Sequence, residues 1–381
     1  MNEVRLGIIG LGNIGKQHLN HVVDGLIHNC EVSAVCSRQK PTFELPQGVK
    51  HYCDYKKLIN SGDCDAVLVA TPSYNHCEIG GYALDKGLHV LMEKPIGLSV
   101  LEGEKVISKV KKNQIFAMML NQRTDPIYAK MKNMVSAGSI GAIQRSQWTA
   151  THWFRPEIYF AVSDWRATWR GEGGGLLVNQ CIHNLDTFQW ICGMPSEVNG
   201  HCEYGKYHDI EVEDEATAYF KYNNGATGVF VASTGEVPGI NRFDIVGDLG
   251  MLSTDSKTLT FTQNEISTAK FSKNTHDMFS MPGTTITDVT PPNSINQHAT
   301  IINNFVAAIL NREPLIAPAN EGINSMALAN SILLSSWQNK PIEIPIDSKH
   351  FQTHLNQYIE KSTFREKANI DAVIELDKSY R

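Results

Sequence analysis

The sequence predicts an α/β chain in two parts: a doubly wound domain with a parallel sheet, followed by a second domain with antiparallel strands. Three observations carry this. The apolar run Arg5 to Gly10 (RLGIIG) passes directly into Gly10-Leu11-Gly12-Asn13-Ile14-Gly15. Further short apolar runs, Glu31 to Cys36, Asp65 to Ala70 and His89 to Met92, alternate with helix-forming stretches. Later, Ala216 to Tyr222 and Ala226 to Ala232 flank Asn223-Asn224-Gly225, a turn sequence between two apolar strands. A chain of 381 residues is long enough for two cores.

The first strand and its glycines read as G-x-G-x-x-G, with a helix from about Ile14 to Gly25. Gly10 permits the tight turn, Gly12 lets a pyrophosphate approach the backbone, and Gly15 lets the helix pack closely on the strand. The helix start at Asn13 and Ile14 then turns unpaired N–H groups toward the phosphates. The second strand ends in Ser37-Arg38, where an acidic residue would ordinarily bind a ribose diol. A hydroxyl and a guanidinium suit a 2′-phosphate, which favours NADP over NAD. Stacking on adenine, or plain solvation, is the competing reading for Arg38.

The third strand runs into Thr71-Pro72-Ser73-Tyr74-Asn75-His76 and a helix reaching Lys86; the fourth ends at Glu93-Lys94-Pro95. Ligands bind outside the carboxyl ends of such strands, so Thr71, Pro72, His76, Glu93 and Lys94 should project toward the nicotinamide. For His76, helix capping or surface exposure competes.

Composition narrows the partners. Hydrophobic residues at 42% and charged residues at 19% exclude a disordered chain. The net charge of −6, with no run of Lys and Arg longer than two, leaves no footprint for nucleic acid or an anionic membrane. A weakly charged small molecule is expected instead. No apolar run approaches the roughly 20 residues of a membrane span, and MNEVRLGIIGLG has no leader character. Eight cysteines without a C-x-x-C pair fit reduced thiols, so a soluble, unprocessed, cytoplasmic protein is expected, with no metal site.

The glycine turn, Ala70-Thr71-Pro72 with His76, and Glu93-Lys94-Pro95 together resemble the Gfo/Idh/MocA oxidoreductases, which include glucose-fructose oxidoreductase and inositol dehydrogenase. The resemblance continues at Gly173-Gly174-Gly175-Leu176-Leu177-Val178-Asn179-Gln180-Cys181-Ile182-His183-Asn184-Leu185-Asp186 and at Glu321-Gly322. It implies a Rossmann domain over residues 1–122 and an α+β domain over 123–345, whose large, mostly antiparallel sheet often mediates assembly into dimers or tetramers. Residues 346–381 form a charged tail around Ile370, Val373 and Ile374, read as an amphipathic helix packing on the body or a neighbour. More strands are expected at Arg242 to Val246 and Thr258 to Thr262, with loop over 273–296.

Oxidising a secondary alcohol needs a nicotinamide face, a base for the hydroxyl proton and stabilisation of the developing alkoxide. Lys94 would supply the charge. His183, with its near-neutral intrinsic pKa, would move the proton. Where many relatives of this type carry Asp four residues before the histidine, this chain has Asn179, read as one helical turn away on the same face. An amide cannot act as a base, but it can bind a hydroxyl. Asp186 is read as structural.

The segment Trp148 to Arg170 holds four of the six tryptophans. Trp153, Trp165, Arg166 and Trp169 are candidates for a sugar-binding platform, against an aromatic core layer as the alternative. In His208-Asp209-Ile210-Glu211-Val212-Glu213-Asp214 the alternation reads as a strand with one wet face rather than a metal site. The expected activity is therefore transfer of a hydride between NAD(P) and a secondary hydroxyl of a sugar, glycoside or cyclitol. Two alternatives stand beside it: a glycosidase working through transient oxidation, and a dinucleotide sensor without chemistry.

Overall fold

The computed structural model describes residues 2–292 and 294–366, and two sheets organise it. The first is built from β1 (Val4–Ile9), β2 (Cys30–Cys36), β3 (Lys50–Tyr52), β4 (Ala66–Val69), β5 (His89–Met92) and β6 (Phe116–Met118), in the order β3-β2-β1-β4-β5-β6. Every pairing is parallel. Helices α1 (Asn13–Val23), α2 (Tyr55–Asn60), α3 (His76–Asp85) and α4 (Val100–Ile107) lie in the crossovers. Both faces of the sheet are covered, which is why its strands read as unbroken apolar runs: Leu6, Ile8, Val67, Leu68, Val90 and Leu91 are fully buried.

The second sheet has nine strands: β7 (Ile143–Ala150), β8 (Glu197–Tyr204), β9 (Glu213–Lys221), β10 (Thr227–Ser233), β11 (Asn241–Gly247), β12 (Gly250–Thr254), β13 (Leu259–Asn264), β14 (Thr284–Asp288) and β15 (Ile342–Glu343). Only the central β10–β7 pair is parallel. The hairpin of β9 and β10 forms as its turn sequence predicts. Alternate residues of β9 face inward, so Ala216, Ala218 and Phe220 are buried and Tyr219 is exposed. Trp148 is fully buried and stacks on Phe243 at 4.4 Å between centroids.

The remaining helices are α5 (Pro126–Ser136), α6 (Glu157–Ala161), α7 (Trp169–Glu172), α8 (Ile182–Cys192), α9 (Thr268–Asn274), α10 (Gln297–Asn311), α11 (Ala319–Gln338) and α12 (Ser348–Lys361). Although they follow the second sheet in the chain, α10 packs on β1 and β5, and α11 reaches α4 and β6. Arg123 clamps this junction. It makes a bidentate pair with Asp186 of α8 at 2.8 Å and reaches Glu321 of α11 at 2.5 Å. That bidentate contact gives Asp186 a structural role.

Residues 273–296, expected as loop, contain β14, an edge strand whose five residues are all exposed. With no buried face it leaves no apolar alternation to read. Helix α12 packs on α4 and α7; Ile370, Val373 and Ile374 of the charged tail lie outside the described residues. No helix among the described residues is long and apolar enough to cross a membrane.

Candidate active site

The carboxyl ends of β1, β4 and β5 open one side of the site. Gly10 has φ +102°, and a Cβ there would stand 2.4 Å from the Ala70 carbonyl oxygen. A Cβ on Gly15 would meet the Gly10 carbonyl oxygen at 1.9 Å, so helix and strand approach as closely as backbone allows. A Cβ on Gly12, by contrast, meets nothing within 4 Å. Gly12 and Asn13 are exposed and Ile14 is half-buried, and α1 starts with no side-chain cap and no acidic residue in its first turn. That is an open row of N–H donors at a helix N-terminus, which suits a diphosphate. Among the described residues Arg38 is exposed and makes no intramolecular hydrogen bond. Ser37 is engaged: its hydroxyl donates to the Gln39 carbonyl at 2.7 Å and lies 3.0 Å from His51 Nε2. The 2′-phosphate argument therefore rests on Arg38.

His76, expected to face the cofactor, is turned inward. Its Nδ1 lies 2.7 Å from the Pro95 carbonyl and its Nε2 2.8 Å from the Thr71 carbonyl, leaving no ring nitrogen for a ligand. It is 1% exposed and braces the two loops, a correction that follows from helix α3 starting at His76 itself. Thr71 and Pro72 stay half-exposed at the cleft, and the Thr71 hydroxyl oxygen is buried without a partner.

Glu93 is likewise a brace rather than a cofactor contact. Its carboxylate sits 2.8 Å from His18 Nε2 and accepts from the Lys94 N–H. Burial raises the Glu93 carboxyl, but the His18 hydrogen bond and the charges of His18, His298 and Lys94 outweigh it and bring it to about 2. His18 comes from α1, so the helix of the glycine turn and the lysine strand end are tied together.

Lys94, half-exposed, sends its Nζ across to the main-chain carbonyl of Asn179 at 2.9 Å. Loss of water lowers its pKa, with Glu93, Tyr159 and Glu172 opposing that and Arg166 adding to it. His183 stands on the first turn of α8, 4% exposed, with Nδ1 unpartnered. Burial, and then the Lys94 charge, push it down to about 3, well below the near-neutral value expected from its type. It is a neutral imidazole.

The glycine segment before α8 is not helical. Helix α8 begins only at Ile182, so Asn179 precedes it and does not share a helical face with His183. The reason lies in Glu213, whose carboxylate accepts from the N–H groups of Gly175 (2.8 Å) and Leu177 (2.9 Å) and so withdraws them from a helical ladder. Glu213 and its neighbour Asp214 are fully buried, which overturns the wet-face reading; Asp214 is satisfied by the N–H groups of Lys206, Tyr207 and His208.

Of the aromatic candidates, two are core. Trp153 is 4% exposed with its indole N–H on Asn184, and Trp169 is 3% exposed against Trp337 and Tyr358, where α11 and α12 cover it. Neither faces a sugar. Trp165 and Arg166 are half-buried, and the Arg166 guanidinium lies 4.5 Å over the Tyr159 ring. Tyr159 and Glu172 are missing from the sequence reading although both act on Lys94. The only signal for Glu172 is an acidic residue directly before the glycine run. Its carboxylate accepts from the Ala167 N–H at 2.6 Å and from the Asn179 side-chain amide.

Residues 4–120 match a family described as an oxidoreductase family with an NAD-binding Rossmann fold, and residues 128–253 match the GFO/IDH/MocA C-terminal domain. A myo-inositol 2-dehydrogenase of Thermotoga maritima is 28% identical over 267 residues, covering 66% of this chain and 75% of that protein. A glycosyl hydrolase family 109 protein of Shewanella pealeana is 27% identical over 237 residues, 54% of this chain and 51% of its own. In fold, the WlbA dehydrogenase of Bordetella pertussis, solved with NADH and UDP-GlcNAcA, superposes with a TM-score of 0.76 at 21% identity, covering 91% of this chain and all of that one.

Proposed function

Because this chain belongs to the Gfo/Idh/MocA oxidoreductases and carries their NAD-binding Rossmann fold, we propose that it is a dehydrogenase or reductase of a secondary hydroxyl on a sugar, glycoside or cyclitol. The observation that carries the reading is Lys94 Nζ at 2.9 Å from the Asn179 carbonyl, which brings the strand end at the nicotinamide side together with the segment leading to His183. The myo-inositol relative supports the substrate class.

The residues present suit a dinucleotide: Gly12, Asn13 and Ile14 offer the open N–H row, and Thr71 and Pro72 line the cleft. When bound, a nicotinamide accepts or donates the hydride. Arg38 favours the 2′-phosphorylated form. Lys94 donates a hydrogen bond to the reacting oxygen and holds its developing charge. His183, neutral, accepts the hydroxyl proton on oxidation. Asn179, Trp165 and Arg166 bind hydroxyls on the rim.

Lys94→Ala and His183→Ala should each cost about 100-fold or more in kcat without lowering the melting temperature. Retention of full activity in both overturns the role assignment. With His183 pushed to about 3, oxidation should show no acid limb near the ordinary histidine value of 6.5.

A second reading, glycoside cleavage through transient oxidation, draws on the family 109 relative and on the same residues. It predicts cleavage of an aryl glycoside with no net change in cofactor redox state. Assembly into dimers or tetramers is also proposed, supported by Met278, Phe279 and Met281, each more than 80% exposed beside β14.

A further inference from the structure

Glu172 is the buried carboxyl of this site that no role yet uses. Two other buried carboxylates have structural work: Asp186 pairs with the Arg123 guanidinium, and Glu213 holds the N–H groups of Gly175 and Leu177. Glu172, 3% exposed, has one main-chain N–H, from Ala167, and one side-chain amide, from Asn179. Among the described residues no cation forms an ion pair with it. A carboxylate so placed is costly unless a charge nearby uses it. Its position is well fixed, since Thr168 caps α7 at one end and Gly173, at φ +70°, closes it at the other.

Asn179 faces both ways. Its amide donates to Glu172, and its main-chain carbonyl accepts from Lys94 Nζ. We propose that Glu172 is the positioning carboxylate of this active site: acting through Asn179, it holds Lys94 in place and keeps it in the ammonium form. This deepens the dehydrogenase reading and rests on it. The amide at 179 is thereby no loss of charge from the site, because the Glu172 carboxylate is hydrogen-bonded directly to it.

Three charged groups face Glu172 from the elements around it: Lys94 at the end of β5, Arg166 from the loop before α7, and Glu213 at the start of β9. Burial raises the Glu172 carboxyl to about 7, against the opposing pull of Ala167, Arg166, Asn179 and Lys94. Its charge is therefore present above neutral pH and fades below. Removing that charge takes away one of the three groups, beside Glu93 and Tyr159, that oppose the effect of burial on Lys94, so Lys94 loses its proton at a lower pH.

Glu172→Gln keeps the shape and removes the charge. The expected result is an alkaline limb of kcat for alcohol oxidation displaced downward by on the order of one pH unit, with KM changed by less than about twofold. Glu172→Asp, which retains the charge on a shorter arm, brings the limb back toward its original position. The exchange variant Glu172→Gln/Asn179→Asp puts amide and carboxyl in each other's places and restores it. An unmoved limb in Glu172→Gln, or an exchange variant no better than Glu172→Gln, overturns the proposal.

A readout without substrate stands beside these. Asn179→Asp alone sets two carboxyls in contact, one of which must hold a proton, so its melting temperature should fall more steeply than that of the unaltered protein between about pH 6 and pH 8. Parallel melting curves sink the proposal even if Glu172→Gln fails to fold. Because melting needs no turnover, this result is separable from failure of the dehydrogenase reading, which Lys94→Ala tests.

Discussion

Two glycine-rich segments lead into helices in this protein, and they end up with opposite fates. At Gly10 to Gly15 the first N–H groups of α1 are open, and Gly12 has nothing within 4 Å of where a side chain would begin. After Gly173-Gly174 the N–H groups of Gly175 and Leu177 are taken by Glu213, a carboxylate from β9, and a Cβ on Gly175 would stand 2.5 Å from the Glu213 carbonyl oxygen. Both segments supply donors outside a helical ladder, the first at the start of α1 and the second in the non-helical stretch before α8. The first is left open on the protein, as a proposed diphosphate site, and the second is completed by the chain itself. A glycine run thus marks a demand for an anion, while the fold decides whether that anion arrives from solution or is built in.

The comparison is sharpest at Glu213. Glu213→Ala leaves two buried N–H groups without acceptors and should cost about 3 kcal/mol in denaturant unfolding. Burial raises its carboxyl from the ordinary 4.5 to about 7, so the folded protein keeps a proton that the unfolded chain releases. That contribution is complete below the unfolded value and is lost as pH rises through about 7. In the milder Glu213→Gln, the fall of melting temperature with rising pH should flatten in that window; an unchanged slope would show that the carboxyl is not held there.

Gly12→Ala should do the converse. Its φ of −68° suits any residue and no protein atom is near, so the melting temperature should stay within about 2 °C while dinucleotide affinity falls about tenfold. A stable variant with undiminished binding by titration calorimetry would mean that this row of donors does not hold the phosphates. Smaller still is Arg38→Ala, expected to weaken NADP by about three- to tenfold and NAD by less than about twofold, since the group is exposed and solvent-screened. Equal losses for both would remove the 2′-phosphate argument.

Much of the first sheet was legible because its information is local: parallel strands buried on both faces must be apolar throughout, and the turn after β1 must be glycine. The hairpin of β9 and β10 was legible for the same reason, through Asn223-Asn224-Gly225. Buried polar residues were not. His76 and Glu93 sit in the right loops, yet whether a ring or carboxylate faces the cleft or the core depends on partners far away in the chain, the Pro95 carbonyl for one and His18 for the other. Trp153 and Trp169 failed as sugar platforms because α11, α12 and Asn184 cover them, and aromatic residues look alike in sequence whether they are covered or bare.

What this sequence determined alone is the chain's class and family, and the local features on which the proposed chemistry rests: a glycine turn after β1, a lysine after a strand end, and a histidine after a second glycine run. Each depends on neighbours within a few residues, where backbone sterics and donor supply are set. Only the tertiary structure decided the electrostatics. His183 is pushed to about 3 and Glu172 raised to about 7 because the fold strips water from both; the nearby Lys94 adds to the fall at His183 and pulls against the rise at Glu172. Those values depend on what surrounds a group in space, which residues many positions away supply.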